Sequence, residues 1–264
     1  MGVHEFIRVE HDGGVMRIAL ARPDVLNSLH RAMARELQVA LDEAAAEAEV
    51  RAVLLTGSCR AFCAGQDLAE IAPPSGAPGP AVSEIVEQSY NPTVLRILAL
   101  EKPVVCAVNG AAAGAGANLA LACDIVIAAK SAYFLQAFVN IGLIPDSGGT
   151  FLLPRLVGLA RAKSLAMLGE RISAEQALAA GLIHAVAEPD ALEAESLALA
   201  KKLAALPTRA IGLAKRAFHA EVFPELERAL ARERDLQGEA SRSADYAEGV
   251  HAFLAKRKPV FKGQ

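Results

Sequence analysis

Residues 103–150, PVVCAVNGAAAGAGANLALACDIVIAAKSAYFLQAFVNIGLIPDSGGT, limit what this chain can fold into more than any other stretch. The run Val104 to Val108 is short and apolar, as a buried strand is. Asn109-Gly110 ends it, since both residues tolerate turn conformations. Gly114 and Gly116 then flank Ala115, and an Ala/Leu-rich helical run follows as far as Cys123. A second apolar strand, Asp124 to Ala129, comes next. Two buried strands joined through a glycine turn and a helix belong to an α/β core. Such a turn brings backbone N–H groups close to a ligand, because glycine lacks a Cβ and a helix start leaves its first amides unbonded. The site could therefore hold an oxygen that develops charge. The same glycines would equally serve close packing of helix on strand.

The rest of the chain extends this pattern. Residues 5–10 and 15–20 alternate as strands, with a hairpin signal at Asp12-Gly13-Gly14. Residues 30–49 follow helical spacing, and Ala52 to Thr56 reads as a buried strand. Residues 58–68 read as a loop centred on Gly65. The Pro/Gly-rich segment 73–80 is expected to be mobile and exposed at the mouth of a pocket. A helix is expected over 81–100. After Gly149 the sequence reads as nearly all helical, at 150–157, 160–169, 173–180 and 190–206, apart from a short apolar piece at Leu182 to Val186. Helices punctuated by Pro207 and Pro224 follow, with a last one from Ser241 to Lys258.

Composition excludes several functions. The chain is 53% hydrophobic, but much of that is alanine, and no apolar run reaches the roughly 20 residues of a membrane span. The net charge of −3 offers nucleic acid no general attraction. Cys106 and Cys123 lie in apolar runs as core residues. Cys59 and Cys63 lack the second ligand pair that zinc needs, and the histidines are dispersed, so no metal is expected. With no signal-peptide pattern and no disulfide framework, a reducing cytoplasm is the expectation.

Two further positions carry chemical potential. In Phe62-Cys63-Ala64-Gly65-Gln66-Asp67-Leu68, Gly65 would let the Gln66 N–H face a cavity; the plainer reading is a turn with Asp67 capping a short helix. Asp146, in IPDSGGT, is a lone carboxylate among small and apolar residues. It suits a proton-transfer base, yet its place before a helical run also suits an N-cap. A helix N-terminus lowers a carboxylate pKa and burial raises it, so the two readings predict opposite shifts.

The chain resembles the enoyl-CoA hydratase/isomerase (crotonase) superfamily over nearly its whole length. The likeness rests on Arg22-Pro23 with Asn27-Ser28-Leu29, on Ala61 to Leu68 and on Lys102-Pro103 to Gly116. It extends through Cys123-Asp124-Ile125, Gly142 to Pro145, Gly148-Gly149-Thr150 and the ending Gly249 to Pro259. The resemblance implies a spiral of repeated ββα turns with a helical C-terminal trimerisation region. It places the core, with the CoA and active sites, in residues 1–200 and an oligomerisation region in 201–264. It further implies an acyl-CoA substrate, coenzyme A as part of that substrate and no separate cofactor. The assembly it implies is a homotrimer or a dimer of trimers.

Carried over position by position, the resemblance makes the N–H groups of Gln66 and Ala115 an oxyanion hole and Asp146 the catalytic base. Ala64, Asp67 and Leu68 would receive CoA. Phe253 and Lys256 would approach CoA, often from a neighbouring subunit. Family hydratases carry two glutamates where this chain has Asn118 and Phe138. One remaining carboxylate suits isomerisation, which only moves a proton between carbons. A narrower likeness, carried by Tyr90-Asn91-Pro92, GLIPDSGGTFLLPR and RSADYAEGVHAFLAKR, is to the branch that isomerises the ring 1,2-epoxide of a phenylacetyl thioester. The pocket wall is expected to include Tyr90, Phe134 and Phe138. Hydration and a non-catalytic RNA-binding role are the alternative expectations.

Overall fold

The structure is a computed structural model that describes residues 4–72 and 79–264. Residues 73–78 of the Pro/Gly-rich segment lie outside the described residues.

The chain opens with the antiparallel hairpin β1 (Ile7–Asp12) and β2 (Val15–Leu20). Gly13 and Gly14 turn it with φ of 58° and 82°, a region that glycine enters at little cost. Helix α1 (Arg31–Ala46) then buries Met33, Leu37, Ala40, Leu41 and Ala44 along one face.

From here the chain repeats one unit. A fully buried strand, β3 (Ala52–Gly57), is followed by a short strand, β4 (Ala61–Cys63). Helical pieces follow: α2 (Leu68–Ile71), α3 (Val82–Ile85), a π-helical segment Val86–Tyr90 and α4 (Asn91–Ala99). The next unit is β5 (Val104–Val108), β6 (Ala111–Ala113) and α5 (Ala115–Leu121). The third is β7 (Ile125–Ala129), β8 (Tyr133–Leu135), a 3₁₀ turn Ala137–Ile141, α6 (Gly149–Val157) and α7 (Leu159–Leu168). Then come β9 (Arg171–Ser173), α8 (Ala174–Ala179), β10 (Ala185–Ala187) and α9 (Leu192–Ala205). The chain ends in α10 (Thr208–Val222), α11 (Leu226–Ala240) and α12 (Ala244–Leu254).

Each unit sends its first strand to one sheet and its second to another. The large sheet has the order β1-β2-β3-β5-β7-β10 and the small one β4-β6-β8-β9. Beyond the first hairpin the large sheet is parallel, and the small one is parallel except for β8 with β9. This is the spiral of ββα turns, with a helical C-terminal region. Position 200 lies inside α9.

Several expectations change. The loop 58–68 contains β4, and the all-helical stretch after Gly149 is interrupted by β9 and β10. Strands of three residues are too short to show a period, so the small sheet left no readable pattern. The expected helix 81–100 is divided by the π-helical segment Val86–Tyr90. The last helix ends at Leu254, short of Lys258. Among the described residues, no helix is long and apolar enough to cross a membrane.

Gly116 shows what the packing reading of the glycine turn contributes. A Cβ there would lie 2.6 Å from Cys63 Cβ and 2.7 Å from its Sγ, and closer still to the Cys63 carbonyl oxygen. Only glycine lets α5 rest on β4. Gly116→Ala should therefore destabilise the fold by about 1–3 kcal/mol, as overpacking in a core does. A lower urea midpoint with an unchanged slope would register it; an unaltered midpoint would mean that β4 can yield.

Candidate active site

Two turns meet at one cavity. Gly65 has φ of 93°, and a Cβ on it would lie 2.8 Å from the Ala113 oxygen and 3.6 Å from the Ala115 nitrogen. The first turn is thus seated directly against the second. Gly65 O accepts from Leu29 N–H at 2.7 Å, and Asp67 N–H donates to Leu29 O at 2.8 Å. This short bridge uses the groups on either side of Gln66 and leaves the Gln66 N–H directed away from Leu29. Gly114 has φ of 52° and ψ of −127°, and Ala115 is the first residue of α5. Neither the Gln66 nor the Ala115 N–H finds a backbone acceptor among the described residues.

The first turn is fastened from behind. Arg22 pairs with Asp67 at 2.8 Å and also donates to the Ser28 carbonyl. Asn27 donates to the carbonyls of Ser58 and Ala61. Asp67 accepts from Ala69 N–H as the cap of α2, which is its plainer reading.

Asp146 enters the same cavity and is only 3% exposed. Ser147 Oγ donates to its Oδ1 at 2.9 Å, and Gln237 Nε2 donates to its Oδ2 at 2.8 Å. Burial pushes the carboxyl up to about 6, while the hydrogen bonds from Gln237 and Ser147 pull it back. Burial therefore outweighs the donors. The carboxylate does not cap α6: the N-cap is Gly148, and the side chain bonds no helix amide. The N-cap reading of Asp146 is corrected here, for a reason that lies on α11.

The cavity has a volume of about 240 Å³ and is mostly apolar. Ala64, Gln66, Leu68, Ala115, Asp146 and Phe253 all line it. Asp67 does not, being turned toward Arg22. Lys256 does not either; it is exposed beyond the end of α12, with φ of 52°. Tyr90 and Phe138 belong to the wall, whereas Phe134 is buried elsewhere in the core. Phe253 reaches the cavity of its own chain, because α12 packs over the 3₁₀ turn Ala137–Ile141, with Gly249 against Ile141.

Sequence reasoning missed the support of this site. Gln237 also bonds both the N–H and the carbonyl of Ile144, at 3.0 Å each. Asn118 donates to the Asp146 carbonyl at 2.7 Å and accepts from Gln136 at 2.8 Å. Glu233, 1% exposed, holds Gly148 and Thr150. On α11, residues 226, 230, 233 and 237 share one helical face, begun by Leu226 and Leu230. Two polar residues continuing an apolar face were the available signal.

Two main-chain donors beside an apolar, carboxylate-bearing cavity can hold a carbonyl oxygen and move a proton next to it. The family model described as enoyl-CoA hydratase/isomerase matches residues 10–264. The chain is 50% identical over 260 residues to the 1,2-epoxyphenylacetyl-CoA isomerase of Escherichia coli, covering 98% of this chain and 99% of that one. It is also 50% identical to a probable enoyl-CoA hydratase of Rhodobacter capsulatus, covering 98% of each. The crystal structure of an enoyl-CoA hydratase from Mycobacterium avium subsp. paratuberculosis superposes with a TM-score of 0.89 at 38% identity. It covers 98% of this chain and 99% of that one.

Proposed function

The chain belongs to the enoyl-CoA hydratase/isomerase family, and from that premise we propose that it is a one-carboxylate acyl-CoA isomerase with Asp146 as its base. The observation that carries this reading is that Asp146 is the only carboxylate among the described residues lining the cavity. For a 3-enoyl thioester, Asp146 takes a proton from C2. The C2–H electron pair moves into the enolate, whose oxygen the Gln66 and Ala115 N–H groups hold. The protonated Asp146 returns the proton at C4, giving the 2-enoyl thioester. No water is added and no other reactant is consumed. Coenzyme A enters only as part of the substrate.

The two positions where family hydratases carry glutamate support the same reading. Asn118 has both its amide groups engaged in hydrogen bonds, and Phe138 is apolar wall. Water activation together with protonation of carbon calls for two acid–base groups. The similarity to the E. coli isomerase extends the proposal to a ring 1,2-epoxide of phenylacetyl-CoA, rearranged to its oxepin thioester. Ala64, Leu68 and Phe253 border the cavity where the thioester would run. The proposed assembly is a homotrimer or a dimer of trimers.

A hydratase reading is favoured by the similarity to the R. capsulatus protein. Turnover over a panel of thioesters separates the two. Epoxide and 3-enoyl thioesters should turn over, and crotonyl-CoA should keep its conjugated absorbance. Rapid loss of that absorbance would replace isomerase with hydratase.

A further inference from the structure

The amides at the start of α6 raise an accounting question. A helix N-terminus leaves its first N–H groups without helical partners, and Asp is a preferred residue to accept from them. Asp146 stands at this N-terminus, yet its carboxylate bonds none of those amides. Each amide from Gly148 to Leu152 has another acceptor. Gly148 N–H donates to Glu233 Oε2 at 2.8 Å, and Thr150 N–H donates to Glu233 Oε1 at 2.8 Å. The Thr150 hydroxyl adds a bond to the same oxygen. Gly149 N–H goes to the Asp146 carbonyl, while Phe151 and Leu152 go to the Gly148 carbonyl. The cap of α6 is thus supplied by a side chain from α11, more than 80 residues along the chain.

We propose that Glu233 is a positioning residue for the chemistry at Asp146: by occupying the α6 amides it keeps the Asp146 carboxylate out of the cap and available to the cavity. Three donors hold Glu233, so Asp146 can take the Gly148 amide only by displacing Glu233 Oε2, and the Thr150 amide only by displacing Oε1. The arrangement also sets a second buried carboxyl beside Asp146. Burial pushes Glu233 up to about 7, the Thr150 and Gly148 bonds oppose that, and the nearby Asp146 adds to it. Tyr90, from the π-helical segment, is also close to Asp146, and burial keeps its phenol protonated. At the outer side of α11, Arg234 pairs with Glu87 and Asp235.

The inference rests on the reading of Asp146 as base, and the experiment separates the two. Glu233→Gln removes the charge and at least one of the two amide bonds. Glu233, raised to about 7, carries little charge where Asp146 titrates, so the freed amide is what favours an ionised Asp146: the acid limb of kcat should move down by about one pH unit and the plateau should fall about tenfold. KM for the thioester should stay the same, because the Gln66 and Ala115 donors are untouched. A purely structural role would lower the yield or the melting temperature and leave the limb where it was. That outcome, with Asp146→Asn inactive, overturns this inference alone. Full activity in Asp146→Asn overturns the base assignment itself. Should Glu233→Gln fail to accumulate, Glu233→Asp takes its place. It keeps the charge but is too short to span both amides, and the limb should move in the same direction by less. An unmoved limb there also overturns the inference.

Discussion

Asp146→Asn is expected to lower isomerase turnover by about 10²–10⁴-fold, the usual worth of a positioned general base. The substitution is nearly isosteric. The asparagine oxygen can still accept from Gln237, and its amide can donate to Ser147 Oγ, so the turn Ile144–Thr150 keeps its bonds. Thioester affinity should survive, since the Gln66 and Ala115 amides remain. With the wild-type carboxyl at about 6, a base must be ionised to act. Turnover should therefore rise as pH passes upward through about 6 and level off above it. In the variant the residual rate should lose this limb. Wild-type turnover in Asp146→Asn, with a direct binding measurement unchanged, would show that the proton moves through another group.

The second large effect is at a main-chain atom. Ala115→Pro deletes the N–H and puts a ring methylene in its place. Proline is tolerated as the first residue of a helix, where its amide has no helical partner, and Ala115 occupies that position in α5. Gly114 before it has no Cβ to meet the ring. The fold should persist while kcat drops by about 10²–10³-fold, or ~2.7–4 kcal/mol for one lost oxyanion donor. Ala115→Ser, which keeps the N–H, is the matched control. Equal losses in the two variants, or none in the proline one, would assign the effect to something other than the amide.

The large sheet was legible except for the three-residue β10, because its other strands are long enough to show a pattern. β3 and β5 are continuous apolar runs, and β1 and β2 join through adjacent glycines. The two glycine turns were legible for the same local reason. Gly65 and Gly114 mark a positive φ, and Gly116 marks a close approach to Cys63. The small sheet was not, since β4, β6, β8 and β9 span three residues each. The family resemblance assigns Asp146 as the base, while the residues alone leave base and N-cap both open. The facts that remove the N-cap reading, the Glu233 cap and the Gln237 donor, lie more than 80 residues away in sequence. Asp67 shows the converse limit. It sits next to a donor turn in sequence, yet alternation along the chain faces it toward Arg22.

The distance between Asp146 and its holders has a temporal side. A polypeptide leaving the ribosome contains both donor turns and the Leu135 carbonyl that bonds Gly114 once residue 135 has emerged. Asp146 follows with Ser147 and Asn118 as partners but lacks its Gln237 donor until α11 is made and docked. A nascent or prematurely terminated chain that stops before 226 would carry Asp146 with no Gln237 to hold its carboxylate and no Glu233 to occupy the α6 amides.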